Sequence, residues 1–168
     1  MHLHIEDNFL DDFEFRQIHD ELFPSNSQSK YPRHNWTNNP NDLPRYVKKL
    51  VDTAYNYFKF SEIQSYEWWI HQSTDTTPQY WHKDYYCEKF YKDSKVIESQ
   101  CSIVYYPIVS FLNGGELVVN DICIKPKMNR AVFITKGQIH KVNPYSGDRV
   151  SLGINLYSKE DLNDNTTL

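Results

Sequence analysis

The feature that most constrains the fold of this chain is a run of closely spaced, strand-like segments that begins after residue 60. Gln64–Gln72 is rich in aromatic residues, Trp81–Tyr85 is short, and Cys101–Phe111 is long and apolar. The remaining segments are Glu116–Val119, Ile122–Ile124, Arg130–Ile134, Ile139–Val142 and Arg149–Tyr157. About eight short strands with turn residues between them are typical of a double-sheet jelly roll, also called a double-stranded β-helix.

The front of the chain has a helical pattern instead. After a short strand over residues 3–10, apolar residues recur at helical spacing from Asp11-Asp12 to Pro24, and again beyond Pro44. The polar stretch between the two helices predicts a loop with one short strand. We therefore expect a mostly β protein with flanking helices. It would form a single domain over residues 1–168, with a helical buttress (1–60) and a cupin-like jelly-roll core (61–158).

Turn chemistry suggests how the strands connect. Asn113-Gly114 is a strong two-residue hairpin signal and predicts that the strand before it pairs with Glu116–Val119. Asn143-Pro144 and Ser146-Gly147-Asp148 also read as turns, which predicts that the strands before and after them form one hairpin.

Composition limits the function classes. The net charge is −4 and no cluster of Lys and Arg occurs, which disfavours a nucleic-acid partner. The three cysteines lack C-x-x-C spacing, so neither a disulfide framework nor a zinc ribbon is expected. No signal segment and no apolar run of about 20 residues is present, so we expect a soluble, cytoplasmic protein without a membrane partner. The sequence leaves the oligomeric state open.

Metal-ligand chemistry is indicated by His82-x-Asp84 and the distant His140. In a strand, residues i and i+2 point to the same face, so His82 and Asp84 can reach one ion. Two histidines and one carboxylate form a three-ligand face for ferrous iron. The similar pairs His4-x-Glu6 and His19-x-Glu21 are interpreted as solvent-facing. No downstream residue completes a metal site with the first pair. The second pair lies in a predicted helix, where residues i and i+2 point to different sides of the axis and cannot share a metal.

Downstream of His140, alternation places Arg149, Ser151, Gly153 and Asn155 on one face of the last strand. An arginine on an interior face is costly unless a carboxylate meets it. Its planar guanidinium offers that carboxylate two parallel hydrogen bonds, and Ser151 can add a third.

The combined pattern resembles the Fe(II)- and 2-oxoglutarate-dependent dioxygenases, and among them the prolyl-hydroxylase-like branch. The matching residues, in the order of that family, are His82-x-Asp84, Ser102–Tyr106, Gly114–Leu117, Lys125–Lys127, His140-x-Val142-x-Pro144 and Arg149-x-Ser151. The resemblance covers about residues 62–157, and the nine-residue step from His140 to Arg149 is similar to that of the oxygen-sensing prolyl hydroxylases.

The resemblance implies cofactors and residue roles. Fe(II) would be held by His82, Asp84 and His140, which are then the catalytic centre, and O2 and 2-oxoglutarate would be the cosubstrates. The distal carboxylate of 2-oxoglutarate would be bound by Arg149, Ser151, Tyr106 and Ser102, with Val142 and Leu117 as apolar walls. The chain departs from the closest relatives at Gln72, where they have a pocket tyrosine, and at Asn155, where they have a tryptophan.

The substrate is less constrained, and three functions from different classes remain. The resemblance favours hydroxylation of a C–H bond in a protein or peptide, prolyl-hydroxylase-like, with release of succinate and CO2. An oxygenase acting on a small metabolite or a nucleic-acid base is the alternative, although the Arg-rich motif and nucleotide lid of the demethylases are not visible. A non-enzymatic cupin-type binding module would have no use for Arg149. Residues 73–80 and 85–100 are expected to form the rims that contact substrate.

Overall fold

The structure is a computed structural model that describes residues 3–22, 34–60, 62–72, 78–85 and 97–159. Two helices and ten strands lie within these ranges, together with a short 3₁₀ turn, Pro40–Asp42. The helices are α1 (Asp12–Leu22) and α2 (Arg45–Tyr57). The strands are β1 (Leu3–Asp7), β2 (Asn35–Thr37), β3 (Ile63–Gln72), β4 (Gln79–His82), β5 (Cys101–Gly114), β6 (Leu117–Val119), β7 (Ile122–Ile124), β8 (Arg130–Thr135), β9 (His140–Val142) and β10 (Tyr145–Ser158). Most of both expected rims, Cys87 and the C-terminal tail lie outside the described residues.

The strands form two antiparallel sheets. The major sheet has the order β1-β8-β5-β10-β3-β2, and the minor sheet has the order β4-β9-β6-β7. Neighbours in a sheet are often distant in the chain, as the connections of a jelly roll require. The predicted jelly roll with flanking helices is therefore confirmed.

The two helices cover one face of the major sheet. Asp11 begins α1 as an N-cap, because its carboxylate accepts hydrogen bonds from the backbone N–H groups of Phe13 and Glu14 at 3.0 and 2.8 Å. A single apolar cluster joins both helices to the sheet: it includes Leu22, Val47, Leu50, Val51 and Ala54 from the helices, and Ile103, Tyr105, Leu152, Ile154 and Leu156 from the strands. Neither helix in the described ranges is long and apolar enough to cross a membrane.

Strand alternation sends the other side chains of β5 and β10 toward the minor sheet. A second apolar cluster fills part of this space and consists of Tyr106, Leu117, Val119, Ile124, Val132, Ile134 and Val142. Polar side chains line the remainder. The space between the sheets is thus the place where a binding site is compatible with the fold.

The hairpin predicted at Asn113-Gly114 is wrong. β5 runs through these residues to Gly114 and pairs with β8 and β10, whereas β6 pairs with β7 and β9 of the other sheet. Gly114 and Gly115 have φ values of +82° and +75°, a region that favours glycine, and a Cβ on Gly114 would overlap the Pro144 carbonyl. The two glycines therefore let the chain cross between sheets instead of reversing within one.

The second predicted hairpin is also wrong, since His140 lies on β9 of the minor sheet and Arg149 lies on β10 of the major sheet. The chain crosses back at Asn143-Pro144, beside the first crossing, where the Gly115 N–H donates to the Pro144 carbonyl at 3.1 Å. Residues 146–148 are a bulge within β10, with φ +98° at Gly147, and not a turn. His140 and Arg149 consequently belong to opposite walls of the same space.

Candidate metal centre and ligand pocket

Three ligand-type side chains converge where the two strands β4 and β9 meet. His82 ends β4, Asp84 follows two residues later, and His140 begins β9. One ligand atom from each lies within 4.8 Å of the others. The Nε2 atom of His140 is 3.4 Å from one carboxylate oxygen of Asp84, and Nε2 of His82 is 4.0 Å from the other. The structure therefore brings together the three residues that the sequence predicted as ligands.

Strand pairing fixes the two histidines. His82 and His140 are register partners on β4 and β9. The Nδ1 atom of His82 lies 2.6 Å from the Tyr80 carbonyl oxygen, which can only accept a hydrogen bond. Nδ1 is therefore the protonated nitrogen, and Nε2 is left with its lone pair toward Asp84 and His140. A histidine whose far nitrogen donates to a carbonyl is oriented as metal-binding histidines usually are.

Asp84 lies just beyond the end of β4. The sequence predicted a strand over Trp81–Tyr85, whereas β4 begins at Gln79 and already ends at His82. Its main chain is anchored by the segment that precedes β5. The backbone carbonyl of Asp84 accepts a hydrogen bond from the Ser99 N–H at 3.0 Å, and Lys83 pairs with Glu98 at 2.7 Å. These contacts hold the carboxylate in place although no strand contains it.

The electrostatics of the cluster suit a divalent cation. Burial lowers the pKa of His140, while the nearby charge of Asp84 acts in the opposite direction. His140 is 5% exposed, so its neutral, ligand-competent form is favoured. Two imidazole nitrogens and one carboxylate on one side of a cavity are the donor set of non-haem Fe(II) sites that keep coordination positions open. The residues present thus fit Fe(II).

A second polar group lies on the opposite sheet. Arg149 is 4% exposed, and within the described ranges no carboxylate pairs with it. Its Nε atom and the hydroxyl of the fully buried Tyr106 have no hydrogen-bond partner there. The guanidinium lies 5.2 Å from the Tyr106 ring and 5.5 Å from that of Tyr145. A buried cation with unused donors is costly unless an anion is bound, so this end fits a carboxylate.

One cavity connects the two groups. The described residues that line it are Trp69, His71, Gln79, His82, Asp84, Ser102, Ile103, Val104, Leu117, His140, Val142, Arg149, Ser151, Gly153 and Asn155. Leu117 and Val142 form apolar walls, as the sequence predicted. The predicted polar face of β10 also lines the cavity, from Arg149 to Asn155. The metal cluster and Arg149 therefore face the same cavity between the sheets.

Ser151 and Ser102 occupy different parts of this cavity. Ser151 is two residues from Arg149 on the same face of β10. Ser102 is four residues from Tyr106, about 13 Å along β5, and its hydroxyl lies 2.9 Å from that of Ser99. Because Ser99 is bonded to Asp84, Ser102 lies near the metal cluster and away from Arg149. Its predicted role at the distal carboxylate stays a prediction.

Glu67 is a buried polar residue beside Asn155 that the sequence did not identify. It is 2% exposed and accepts hydrogen bonds from Asn155 Nδ2 at 3.2 Å and from the Tyr157 hydroxyl at 3.0 Å, with His34 Nδ1 at 3.2 Å. Burial raises the pKa of Glu67, and the three neighbours oppose that shift. The available signal was a single carboxylate within an aromatic strand, Tyr66-Glu67-Trp68, which is costly to bury without donors.

Comparison with known proteins gives a consistent result at the level of structure. No protein-family profile and no curated protein matches the sequence. A viral collagen prolyl hydroxylase from Paramecium Bursaria Chlorella virus-1 superposes with a TM-score of 0.63 at 14% identity, covering 94% of this chain and 96% of that chain. A Pseudomonas putida prolyl-4-hydroxylase gives 0.67 at 16% identity, covering 95% and 94%. The chain has the fold of the prolyl hydroxylases.

A third solved structure extends the likeness to a peptide complex. A prolyl hydroxylase from Trichoplax adhaerens, bound to a fragment of the hypoxia inducible factor oxygen degradation domain, has a TM-score of 0.63 at 14% identity. It matches 98% of this chain and 87% of its own. At identities this low the common fold is what the comparisons establish, and the chemistry rests on the residues of the cavity.

Proposed function

We propose that the protein is an Fe(II)- and 2-oxoglutarate-dependent dioxygenase that hydroxylates a C–H bond in a protein or peptide. One observation carries the proposal: the cluster of His82, Asp84 and His140 shares a cavity with a buried Arg149 that has no carboxylate partner among the described residues. A binding module without chemistry has no need for both features at once. A metal cluster and an isolated cation on facing sheets suit a chelating dicarboxylate.

The structural relatives support the same reaction class. They include prolyl hydroxylases from a virus, a bacterium and an animal, and the viral one was solved with 2-oxoglutarate. Several residues that carry the sequence resemblance line the cavity, namely His82, Asp84, Ser102, Leu117, His140, Val142, Arg149 and Ser151. Tyr106 is buried in the adjoining apolar cluster, and Lys125–Lys127 lie outside the cavity. The animal relative binds a peptide, which favours a peptide or protein substrate over a small metabolite.

The roles of the metal ligands follow from their environments. His82 and His140 would bind through Nε2, and Asp84 through a carboxylate oxygen. Bound Fe(II) would supply the activation of dioxygen. Burial of His140 favours the neutral imidazole that a metal requires, and the hydrogen bond to the Tyr80 carbonyl orients the His82 ring.

The far end of the cavity would bind and orient the cosubstrate. Arg149 would pair with the distal carboxylate of 2-oxoglutarate through two parallel hydrogen bonds, and the hydroxyls of Tyr106 and Ser151 would donate to the same group. Leu117 and Val142, which are 1% and 5% exposed, would exclude water from the ligand between the two ends. Exclusion of water strengthens each of these polar contacts.

Anaerobic titration with Fe(II) and 2-oxoglutarate tests the proposal. We expect a visible charge-transfer band that His82→Ala abolishes. Arg149→Ala should keep the band at saturation but raise the dissociation constant for 2-oxoglutarate by at least about tenfold. His4→Ala, a histidine that stacks on Tyr57 away from the cavity, is the matched control and should behave as the wild type. A spectrum that neither cavity substitution alters would refute the assignment.

The substrate class needs a separate experiment. Succinate release should be followed with proline-containing peptides, matched peptides that have alanine in place of proline, and a panel of free metabolites. Stimulation by the proline peptides alone supports a prolyl hydroxylase, whereas stimulation only by metabolites supports the alternative of a small-molecule oxygenase. Hydroxylated product should be confirmed by a mass increase of one oxygen atom.

A further inference from the structure

His71 is a titratable side chain that lines the cavity and lies outside the metal cluster. It lies near the end of β3, lines the cavity, and is half-buried. Within the described part of the chain its ring has no hydrogen-bond partner. It belongs neither to the metal cluster nor to the residues that the sequence predicted at the carboxylate end.

The strand register places His71 beside the carboxylate-binding groups. His71 is the direct partner of Ser151 across the antiparallel pair β3–β10. Directly opposite residues have Cβ atoms about 4.5–5.5 Å apart, and diagonal neighbours two residues along are about 7–8 Å apart. Arg149 is such a diagonal neighbour on the same face. An anion at Arg149 and Ser151 is therefore within reach of the imidazole.

The electrostatics agree with this placement. Burial lowers the pKa of His71, and the positive charge of Arg149 lowers it further. Among the described residues, the other charged or titratable groups that line the cavity are His82, Asp84 and His140, which lie around β4 and β9 of the opposite sheet. Arg149 therefore disfavours a protonated His71 in the empty cavity, and an anion lying between the two groups removes this repulsion.

We propose that His71 is a further binding residue for the dicarboxylate cosubstrate. Its ring N–H donates to the same ligand whose distal carboxylate pairs with Arg149. The inference rests on the proposed 2-oxoglutarate site and adds a further residue to it. The arriving dianion counteracts the charge of Arg149, so binding favours the protonated imidazole. Binding then takes up protons near neutral pH, and affinity rises as the pH falls from about 8 to about 6.

Calorimetric titration of the Mn²⁺-loaded protein with 2-oxoglutarate tests this without any turnover. Each titration is carried out in two buffers of different ionisation enthalpy, which gives the number of protons taken up, and is repeated across that pH range. The variants are His71→Gln, Arg149→Ala and His4→Gln. His4→Gln is a matched control, because that histidine packs on Tyr57 outside the cavity. Thermal melts check that each variant is folded.

We expect wild type and His4→Gln to take up protons and to bind more tightly at low pH. His71→Gln should weaken binding by about tenfold at pH near 6 and flatten the pH dependence. His71→Asn gives the same comparison if the glutamine variant does not melt as the wild type does. If the His71 variants keep the affinity and proton uptake of the wild type while Arg149→Ala binds more weakly, the role of His71 is refuted and the proposed function is not. Absence of 2-oxoglutarate binding to the wild type would overturn the proposed function as well.

Discussion

His82 and His140 lie directly opposite each other on β4 and β9, with ring centroids 4.3 Å apart. The proposed metal centre is thus built on a strand pair at the edge of the minor sheet. β4 is short and has a register irregularity, and β9 has only three residues. A metal ion bound to both strands would hold them together where few backbone hydrogen bonds do.

Divalent metal is therefore expected to stabilise the protein. Mn²⁺ at about 100 times its dissociation constant should raise the free energy of unfolding by about 2.7 kcal/mol, because it binds the folded state alone. His140→Gln should remove this gain, and His4→Gln should keep it. Calorimetric or fluorescence-detected melts with and without Mn²⁺ measure the effect. Equal stabilisation of the His140 variant would contradict the assignment of that ligand.

Two adjacent tyrosines on β5, Tyr105 and Tyr106, are expected to have different roles, the first structural and the second in ligand binding. The Tyr106 hydroxyl has no partner among the described residues, whereas the Tyr105 hydroxyl donates to Asn129 at 3.0 Å. Tyr106→Phe should weaken 2-oxoglutarate binding about tenfold and leave stability unchanged or slightly higher. Tyr105→Phe should cost about 1 kcal/mol of stability with no effect on binding. The opposite pattern would place the cosubstrate elsewhere.

The sequence predicted that His82, Asp84 and His140 would lie together, because few residues and simple geometry are involved. His82-x-Asp84 needs only an extended backbone to present both side chains together, and the fold supplies His140 from a neighbouring strand. Arg149 was identifiable because an interior cation requires an anion. These inferences depend on residue type and alternation, which tertiary structure does not alter.

Connectivity was mispredicted because turn residues do not specify which sheet follows. Asn113-Gly114 has hairpin composition, yet its positive φ serves a crossing that packs against the second crossing at Pro144. The same local conformation suits a reversal within a sheet and a passage between sheets. Glu67 was missed for a related reason, since its donors Asn155, Tyr157 and His34 are distant in the chain and meet only in the fold.

Glu67 should be among the residues most sensitive to truncation. Glu67→Ala leaves Asn155 Nδ2 and the Tyr157 hydroxyl without their buried acceptor, which should cost about 2–4 kcal/mol. Glu62→Ala, five residues earlier and with a side chain that is 73% exposed, is the control and should change stability by less than about 0.5 kcal/mol. Urea unfolding of both variants measures the difference. Similar losses for the two would refute the importance of the buried contacts.

Asp7 should give the protein a defined acid sensitivity. Hydrogen bonds from Arg130 and Lys127 lower its pKa to about 2, below the ordinary value of 3.8. A depressed carboxyl pKa contributes stability that is present above the unfolded-state pKa and is lost as the pH falls from about 4 to about 2. The side chain is 37% exposed, so screening limits the contribution to about 0.5–1 kcal/mol. Asp7→Asn should flatten the unfolding free energy over this range, and the exposed Asp121→Asn should not.

Gly153 allows the Trp69 ring to lie against β10 in the cavity wall. A Cβ at this position would overlap the ring, so Gly153→Ala must displace Trp69, at a cost of about 1–3 kcal/mol. Because Trp69 and Gly153 both line the cavity, the displaced ring should also weaken 2-oxoglutarate binding. Gly137→Ala is the comparison: nothing lies within 4 Å of its Cβ, but φ is +85°, so it should lose about 1 kcal/mol through backbone strain and bind normally. Melts and calorimetric titrations on both variants distinguish the two effects. If both bind 2-oxoglutarate as the wild type does, Trp69 does not shape the ligand pocket.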